Sequence, residues 1–216
     1  MPDKTGHRKW IILAAIVVSA AVPLFFLDYT EPDLKRWIAM FLGKTGAMAG
    51  TALLMWQFVL GFRFLSSKLI PDLRWGFVLH KTVGITGLAL VVLHAVFITL
   101  SYMWAGRPSP WLLDPGSFFS WMVLAGILGF AILAIVVLTS TLFRTRIGRR
   151  RWYGIHLSTY AIPLLVFLHS FSIGGVLADT ALKYYWMALV AAFGVIVAIR
   201  IAHALGYLQD KKSRDS

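Results

Sequence analysis

Six long apolar runs separated by short polar stretches organise the 216-residue chain. They cover roughly residues 10–27, 37–62, 75–103, 118–143, 152–177 and 183–208. Each has a central stretch without charge, close to the ~20 residues a helix needs to cross a bilayer. The first run follows basic residues, as a signal peptide does. Its eighteen uncharged residues exceed the usual ~7–15-residue signal core. No small-x-small cleavage site follows it, so it is read as a membrane helix. The pattern predicts an all-α polytopic membrane protein, a bundle of six transmembrane helices. Residues 1–9 and 209–216 are expected to be short cytoplasmic ends, with 10–208 as the transmembrane domain. The segment 104–117 holds Pro108, Pro110, Pro115 and Gly116 and is expected to be an irregular loop.

Composition agrees with this reading. Hydrophobic residues make up 59% of the chain and charged residues 14%, with a mean hydropathy of +0.76. Soluble domains are about 45–50% apolar. A net charge of +12 would point to nucleic acid in a soluble domain. In a membrane protein it reflects basic cytoplasmic loops, and no nucleic-acid partner is expected. The bases sort by side. One side collects Lys4, Arg8 and Lys9, then Arg63, Lys68, Arg74 and Lys81. It continues with Arg144, Arg146, Arg149, Arg150 and Arg151, and ends with Arg200, Lys211, Lys212 and Arg214. The other side has only Lys35, Arg36, Arg107 and Lys183. This bias puts both termini in the cytoplasm, and the small chain without cysteine makes a bacterial inner membrane the expected location. Trp10, Trp37, Trp75, Trp104, Trp121, Trp152 and Trp186 fall at or near run ends, where indole favours the headgroup region. Trp56 lies in mid-run.

Charge and hydropathy say nothing of chemistry; the histidines do. Four of the six lie in the third and fifth runs, His80 with His94 and His156 with His169. The spacings are fourteen and thirteen residues. Fourteen helical residues span about 21 Å, less than the ~30 Å hydrocarbon core. The two runs point the same way, so each carries one histidine toward each side. Four imidazoles at two matched depths suit two bis-histidine iron sites. The expected function is transmembrane electron transfer through two hemes. The chain has no cysteine, which excludes disulfides, thiolate-held iron–sulfur clusters and thiolate-ligated heme. No group looks arranged for acid–base or nucleophilic catalysis.

Helical phase sharpens the expectation. At ~100° per residue, fourteen residues return to within about 40° of the start. His80, Gly84, Gly87, Val91 and His94 therefore share a face. Gly84 and Gly87 admit either a flat macrocycle or a neighbouring helix. Thirteen residues leave His169 about 140° from His156. Pro163, between them, is expected to distort the helix and re-aim His169 inward. Arg63, Arg74, Lys81, Arg151 and Arg200 stand at the depth of inner-heme propionates. Lys44, two turns into the second run, either snorkels to the interface or meets an outer propionate. His7 and His203 are not expected to ligate iron.

With these residues the chain resembles the ferric reductase-like transmembrane domain family. That family includes ferric reductases, NADPH oxidases and the heme-binding membrane subunit of the methionine sulfoxide reductase system. The carriers are the two histidine pairs and the segment LTSTLFRTRIGRRRWYGIHLSTY, residues 138–160. The resemblance covers runs two to six. It implies an inner heme between His80 and His156 and an outer heme between His94 and His169. It implies electrons passing from a cytoplasmic flavin or flavoprotein to an extracytoplasmic, periplasmic acceptor. No Gly-rich dinucleotide fingerprint occurs, so the donor is expected to be a separate flavin reductase, with FMN or FAD at the cytoplasmic face. Two alternatives stay open. One is a heme enzyme that reduces ferric chelates or oxygen itself. The other is a heme-free transporter or assembly protein.

Overall fold

A computed structural model describes residues 4–27, 30–70, 72–175, 177 and 180–214. The predicted ends at 1–3 and 215–216 lie outside the described residues. All regular structure among the described residues is helical. Helix α1 is Lys4–Ala21 and passes into a 3-10 turn, Val22–Phe26. Helix α2 is Leu34–Gly61, and a short α3, Arg63–Leu69, leads to α4, Leu73–Trp104. Helix α5 is Phe118–Leu138 and ends in a π turn, Thr139–Phe143. A short α6, Arg144–Ile147, precedes α7, Arg149–Leu157. A 3-10 turn, Ser158–Tyr160, joins α7 to α8, Ala161–Ile173, and α9 is Leu182–Arg214. Six helical segments are long and apolar enough to cross a membrane. They match the six apolar runs within a few residues. The last helix continues through the expected tail to Arg214.

The polar residues that interrupt the runs set the helix starts. Asp33 caps α2 by accepting from the backbone N–H groups of Lys35 and Arg36, and Asp72 caps α4 by accepting from Arg74 and Trp75. Each satisfies donors that a helix start leaves open. Asp72 also pairs with Lys9 at 3.1 Å, tying the start of α1 to the start of α4. The Trp75 backbone N–H first, and then Lys9, hold the Asp72 carboxyl below the usual carboxylate range. Gly148, at φ 75°, occupies a conformation that side chains resist and lets the chain turn between α6 and α7.

Glycine decides which helices pair. A Cβ on Gly46 would collide with the Leu90 carbonyl of α4 and lie 2.8 Å from the His94 nitrogen. Gly43 faces Ile98 and Gly50 faces Val91 in the same groove. Helices α2 and α4 therefore pack backbone to backbone, the closest pairing in the bundle. Gly126 and Gly129 open α5 to His169, Leu165 and Val166 of α8, making the second close pair. Helices α4 and α8 do not pack extensively on each other. Each is backed by its own glycine-bearing partner, which leaves a gap between the two histidine helices.

The core joins these pairs. Leu54, Met55 and Phe58 of α2 meet Leu133 of α5, Ile162 and Phe167 of α8, and Trp186 and Phe193 of α9. Large apolar side chains such as Trp10, Val17, Phe25, Leu164 and Leu168 point outward, as they do where lipid is the solvent. The chain is an integral, multi-pass membrane protein. Trp186 departs from the interfacial expectation: it is 1% exposed and donates its indole N–H to Ser170 Oγ at 2.9 Å. The loop 105–117 is irregular, as expected. It is pinned by Trp111, which donates to Thr99 Oγ1 at 2.8 Å.

Candidate functional site

The four histidines of the third and fifth runs come together two by two. The His80 and His156 rings lie 6.2 Å apart between centroids. The His94 and His169 rings are also 6.2 Å apart. In each pair one ring comes from α4 and the other from α7 or α8. The first pair lies toward the end of the bundle that holds Lys9, α3, α6 and Arg200. The second lies about 21 Å further along α4.

The distortion expected in the fifth run is present, in the 3-10 turn at Ser158–Tyr160 just before Pro163. Three residues at about 120° instead of about 100° advance the helix by about 60°. That cuts the mismatch left by thirteen ideal residues from about 140° to about 80°. His169 then faces α5, where its Nδ1–H donates to the Met122 carbonyl at 2.9 Å. Gly126 makes room for the ring: a Cβ there would lie 2.7 Å from His169 Nδ1. His94 is held in the same way, its Nδ1–H donating to the Gly43 carbonyl at 3.0 Å. A carbonyl only accepts, so both Nδ1 atoms carry the proton and both Nε2 atoms keep a free lone pair.

Around His80 and His156 a cavity of about 560 Å³ opens between α2, α4, α5, α7 and α9. Gln57, Gly84, Trp152 and Tyr160 are in its wall, with Arg63, Lys81, Arg144 and Arg200. Trp152 stacks on His156, 5.0 Å between centroids at 25°. Its other contacts are Ser140, which accepts its indole N–H at 3.0 Å, and the Arg144 guanidinium 4.8 Å from the ring centre. Arg200 donates to the Tyr160 hydroxyl. Among the described residues the Gln57 amide nitrogen is buried without a hydrogen-bond partner, as are Nδ1 of His80 and Nδ1 of His156. A polar atom buried without a partner costs free energy.

The remaining residues singled out in the sequence divide. Gly84 is in the cavity wall against Gln57, whereas Gly87 packs on Leu53 and Leu54 of α2. Arg74 and Arg151 are exposed and do not line the cavity. Lys44 is half-buried on α2 and forms no ion pair among the described residues. His203 lies against Phe64, 4.8 Å between centroids, and His7 is exposed. Sequence reading missed Gly61, whose absent side chain leaves His80 its place. It also missed Gly126, Gln57 and the Arg144–Trp152–His156 stack. The small-residue spacing of Gly43, Gly46 and Gly50, and of Gly126 and Gly129, was the available signal. So was the four-residue step from Trp152 to His156.

Residues 45–168 match the family described as ferric reductase like transmembrane component. The chain belongs to that family. The matched segment runs from α2 into α8 and includes His80, His94 and His156, with His169 one residue beyond it. No curated protein and no solved structure matches the chain. Membership in the ferric reductase-like family points to transmembrane electron transfer as the general activity.

Proposed function

We propose that this ferric reductase-like protein carries electrons, one at a time, across the membrane through two b-type hemes. One is held by His80 and His156, the other by His94 and His169. The observation that carries this reading is the pairing of four histidines, two by two, at one ring separation, with an open cavity at the first pair. A metal–imidazole bond is about 2 Å, and the ring centre sits about 1 Å further back, so two imidazoles sharing one metal would have ring centres within about 6 Å of each other. Both pairs fit. Among the described residues no three metal-binding side chains cluster. Two imidazoles suit a metal that arrives inside a macrocycle supplying its other ligands. The cavity beside the first pair is within the ~300–1,000 Å³ range of small-molecule sites. Heme bound in these places supplies ferric–ferrous, one-electron chemistry.

The protein's own residues do the rest. Hydrogen bonds from Nδ1 hold His94 and His169 in one tautomer, with Nε2 left free to ligate a metal. Gly61 and Gly84 keep side chains out of the inner site. Arg63, Lys81 and Arg200 would hold the inner propionates, and Lys44 an outer one. Gly87 serves the packing of α2 on α4. The basic side faces the cytoplasm by the charge bias, with a bacterial inner membrane as the setting. There the exposed Arg74 and Arg151 attract a flavin phosphate or an acidic flavoprotein, the separate donor. The acceptor, a protein or a ferric chelate, approaches the opposite end.

Vesicles test the conduit. Heme-loaded protein is reconstituted with ferricyanide trapped inside and dithionite added outside. The trapped ferricyanide is expected to be reduced only when protein is present, and not with His94→Ala or His169→Ala. Equal reduction with all three proteins would sink the reading.

A further inference from the structure

Two of the four imidazoles are held by hydrogen bonds and two are not. His94 and His169 each donate from Nδ1–H to a backbone carbonyl. Nδ1 of His80 and Nδ1 of His156 are buried without a hydrogen-bond partner among the described residues. An imidazole turns about a broad terminal torsion, so something else must fix the ring planes of the inner pair. For His156 the structure supplies an indole. Trp152 precedes it by four residues on α7, hence on the same helix face. The two rings lie 5.0 Å apart between centroids at 25°, an offset-stacked geometry. Among the described residues none of the other three histidines has an indole stacked on it.

Trp152 is itself fixed from the neighbouring helix. Helix α5 ends in the π turn Thr139–Phe143, and single π turns recur at functional sites. Thr139 and Thr141 return their hydroxyls to carbonyls of their own helix, Ile135 and Val137, both at 2.7 Å. Ser140, between them, reaches across instead: its Oγ accepts the Trp152 indole N–H at 3.0 Å. One turn further on, the Arg144 guanidinium lies 4.8 Å from the indole centre, a cation–π contact. An indole that served only as an interfacial anchor would turn its N–H to water or headgroups. This one gives its N–H to a serine of the next helix and its face to a histidine. Ser140, Arg144, Trp152 and His156 all line the inner cavity. The Thr-Ser-Thr end of one helix, the basic turn and the Trp152–His156 step of the next thus form one clamp.

We infer that Trp152, clamped by Ser140 and Arg144, is a positioning residue of the inner site: it sets the plane of the His156 imidazole in place of the Nδ1 hydrogen bond that His94 and His169 have. The inference rests on the two-heme reading above. Trp152 acts through His156 and takes no part in ligation. What it fixes is the angle between the two ligand rings, 59° for His80 with His156 against 85° for His94 with His169. The paramagnetic resonance of a low-spin ferric heme depends on the angle between its ligand planes, so the positioning has a readout independent of turnover. Ser140 gives a second, milder handle. Without its hydroxyl the indole keeps Arg144 and loses the hydrogen bond that fixes its N–H end.

Heme per polypeptide and electron paramagnetic resonance of the oxidised, heme-loaded, full-length protein test this. The inner signal is the one that His80→Ala removes and His94→Ala leaves. Trp152→Leu is expected to shift or broaden the inner signal, or to lose that heme, with the outer signal unchanged. Trp152→Phe keeps a stacking face and is expected to fall between wild type and Trp152→Leu. Ser140→Ala is expected to shift or broaden the inner signal with both hemes retained, and Ser140→Thr, which keeps the hydroxyl, to restore it. An inner signal at its wild-type position and width in either Trp152→Leu or Ser140→Ala overturns the inference while leaving two hemes standing. Equal changes in the inner and outer signals also overturn it, since they mark a general loosening of the bundle. If Trp152→Leu does not accumulate, Ser140→Ala decides by the same criterion. Absence of heme from every preparation removes the two-heme reading itself, and the inference with it.

Discussion

His169 reaches its position only because residue 126 has no side chain. A Cβ on Gly126 would approach Nδ1 of that ring within 2.7 Å, and the atom it meets is part of a ring hydrogen-bonded to Met122. The ring cannot yield without losing that bond. Gly126→Ala is expected to destabilise the protein by about 1–3 kcal/mol, as overpacking does, and to lower heme content by about one per chain. Thermal unfolding and pyridine hemochrome quantification check the two parts. Gly194→Ala, where nothing lies within 4 Å of an added Cβ, is the control and is expected to change neither. At the bundle end, the carboxyl of Asp72 is held below its usual range first by the Trp75 backbone N–H and then by Lys9. A lowered value means that its stabilising contribution is complete at neutral pH and is lost as pH falls through that lowered value. Asp72→Asn keeps a capping side chain and removes the ion pair. The difference in thermal midpoint between wild type and variant is therefore expected to stay constant above the carboxylate range and shrink only in stronger acid. A difference that shrinks near neutrality contradicts the assignment.

Helix ends and kinks carry the second layer of information. Pro23 has no N–H to give the carbonyl four residues earlier, that of Ser19. Tyr185 of α9 donates its hydroxyl to that carbonyl at 2.7 Å. In lipid such a substitute matters, because water cannot replace it. Tyr185→Phe is expected to cost about 1–3 kcal/mol, the penalty for an unpaired buried acceptor. In the Pro23→Ala background, where a backbone donor returns, the cost is expected to be smaller. Equal costs in both backgrounds, read by thermal unfolding, would disprove the compensation. The six spans were legible in the sequence because lipid demands long uncharged runs, and a run needs no partner to be recognised. The His80–His94 face was legible because an unbroken helix keeps its phase. The aim of His169 was foreseen only in outline, since Pro163 signals a distortion but not the 3-10 turn at Ser158–Tyr160. Trp186 was misread as interfacial, because its partner Ser170 lies on another helix. Gln57 and Gly126 were illegible for the same reason: each acquires meaning only from the histidine helix it faces.

At the scale of the molecule, the bundle holds two helices, α4 and α8, apart by giving each a closer neighbour. Helix α2 backs α4 and α5 backs α8, through glycine grooves. What remains between them is a gap crossed by two histidine pairs. The proposed orientation has a direct check, because the chain contains no cysteine. A thiol introduced by Arg107→Cys is expected to react with a membrane-impermeant maleimide on intact cells. One introduced by Thr145→Cys is expected to react only after permeabilisation, and the opposite pattern would reverse the orientation. The central claim is that each histidine pair holds one heme. It is tested most directly by counting heme per polypeptide, with oxidised and dithionite-reduced spectra, in wild type, His80→Ala and His94→Ala. The account predicts two b-type hemes in the wild type and about one in each variant. One heme, lost in His94→Ala but kept in His80→Ala, would contradict the inner site, and no heme in any sample would contradict the account as a whole.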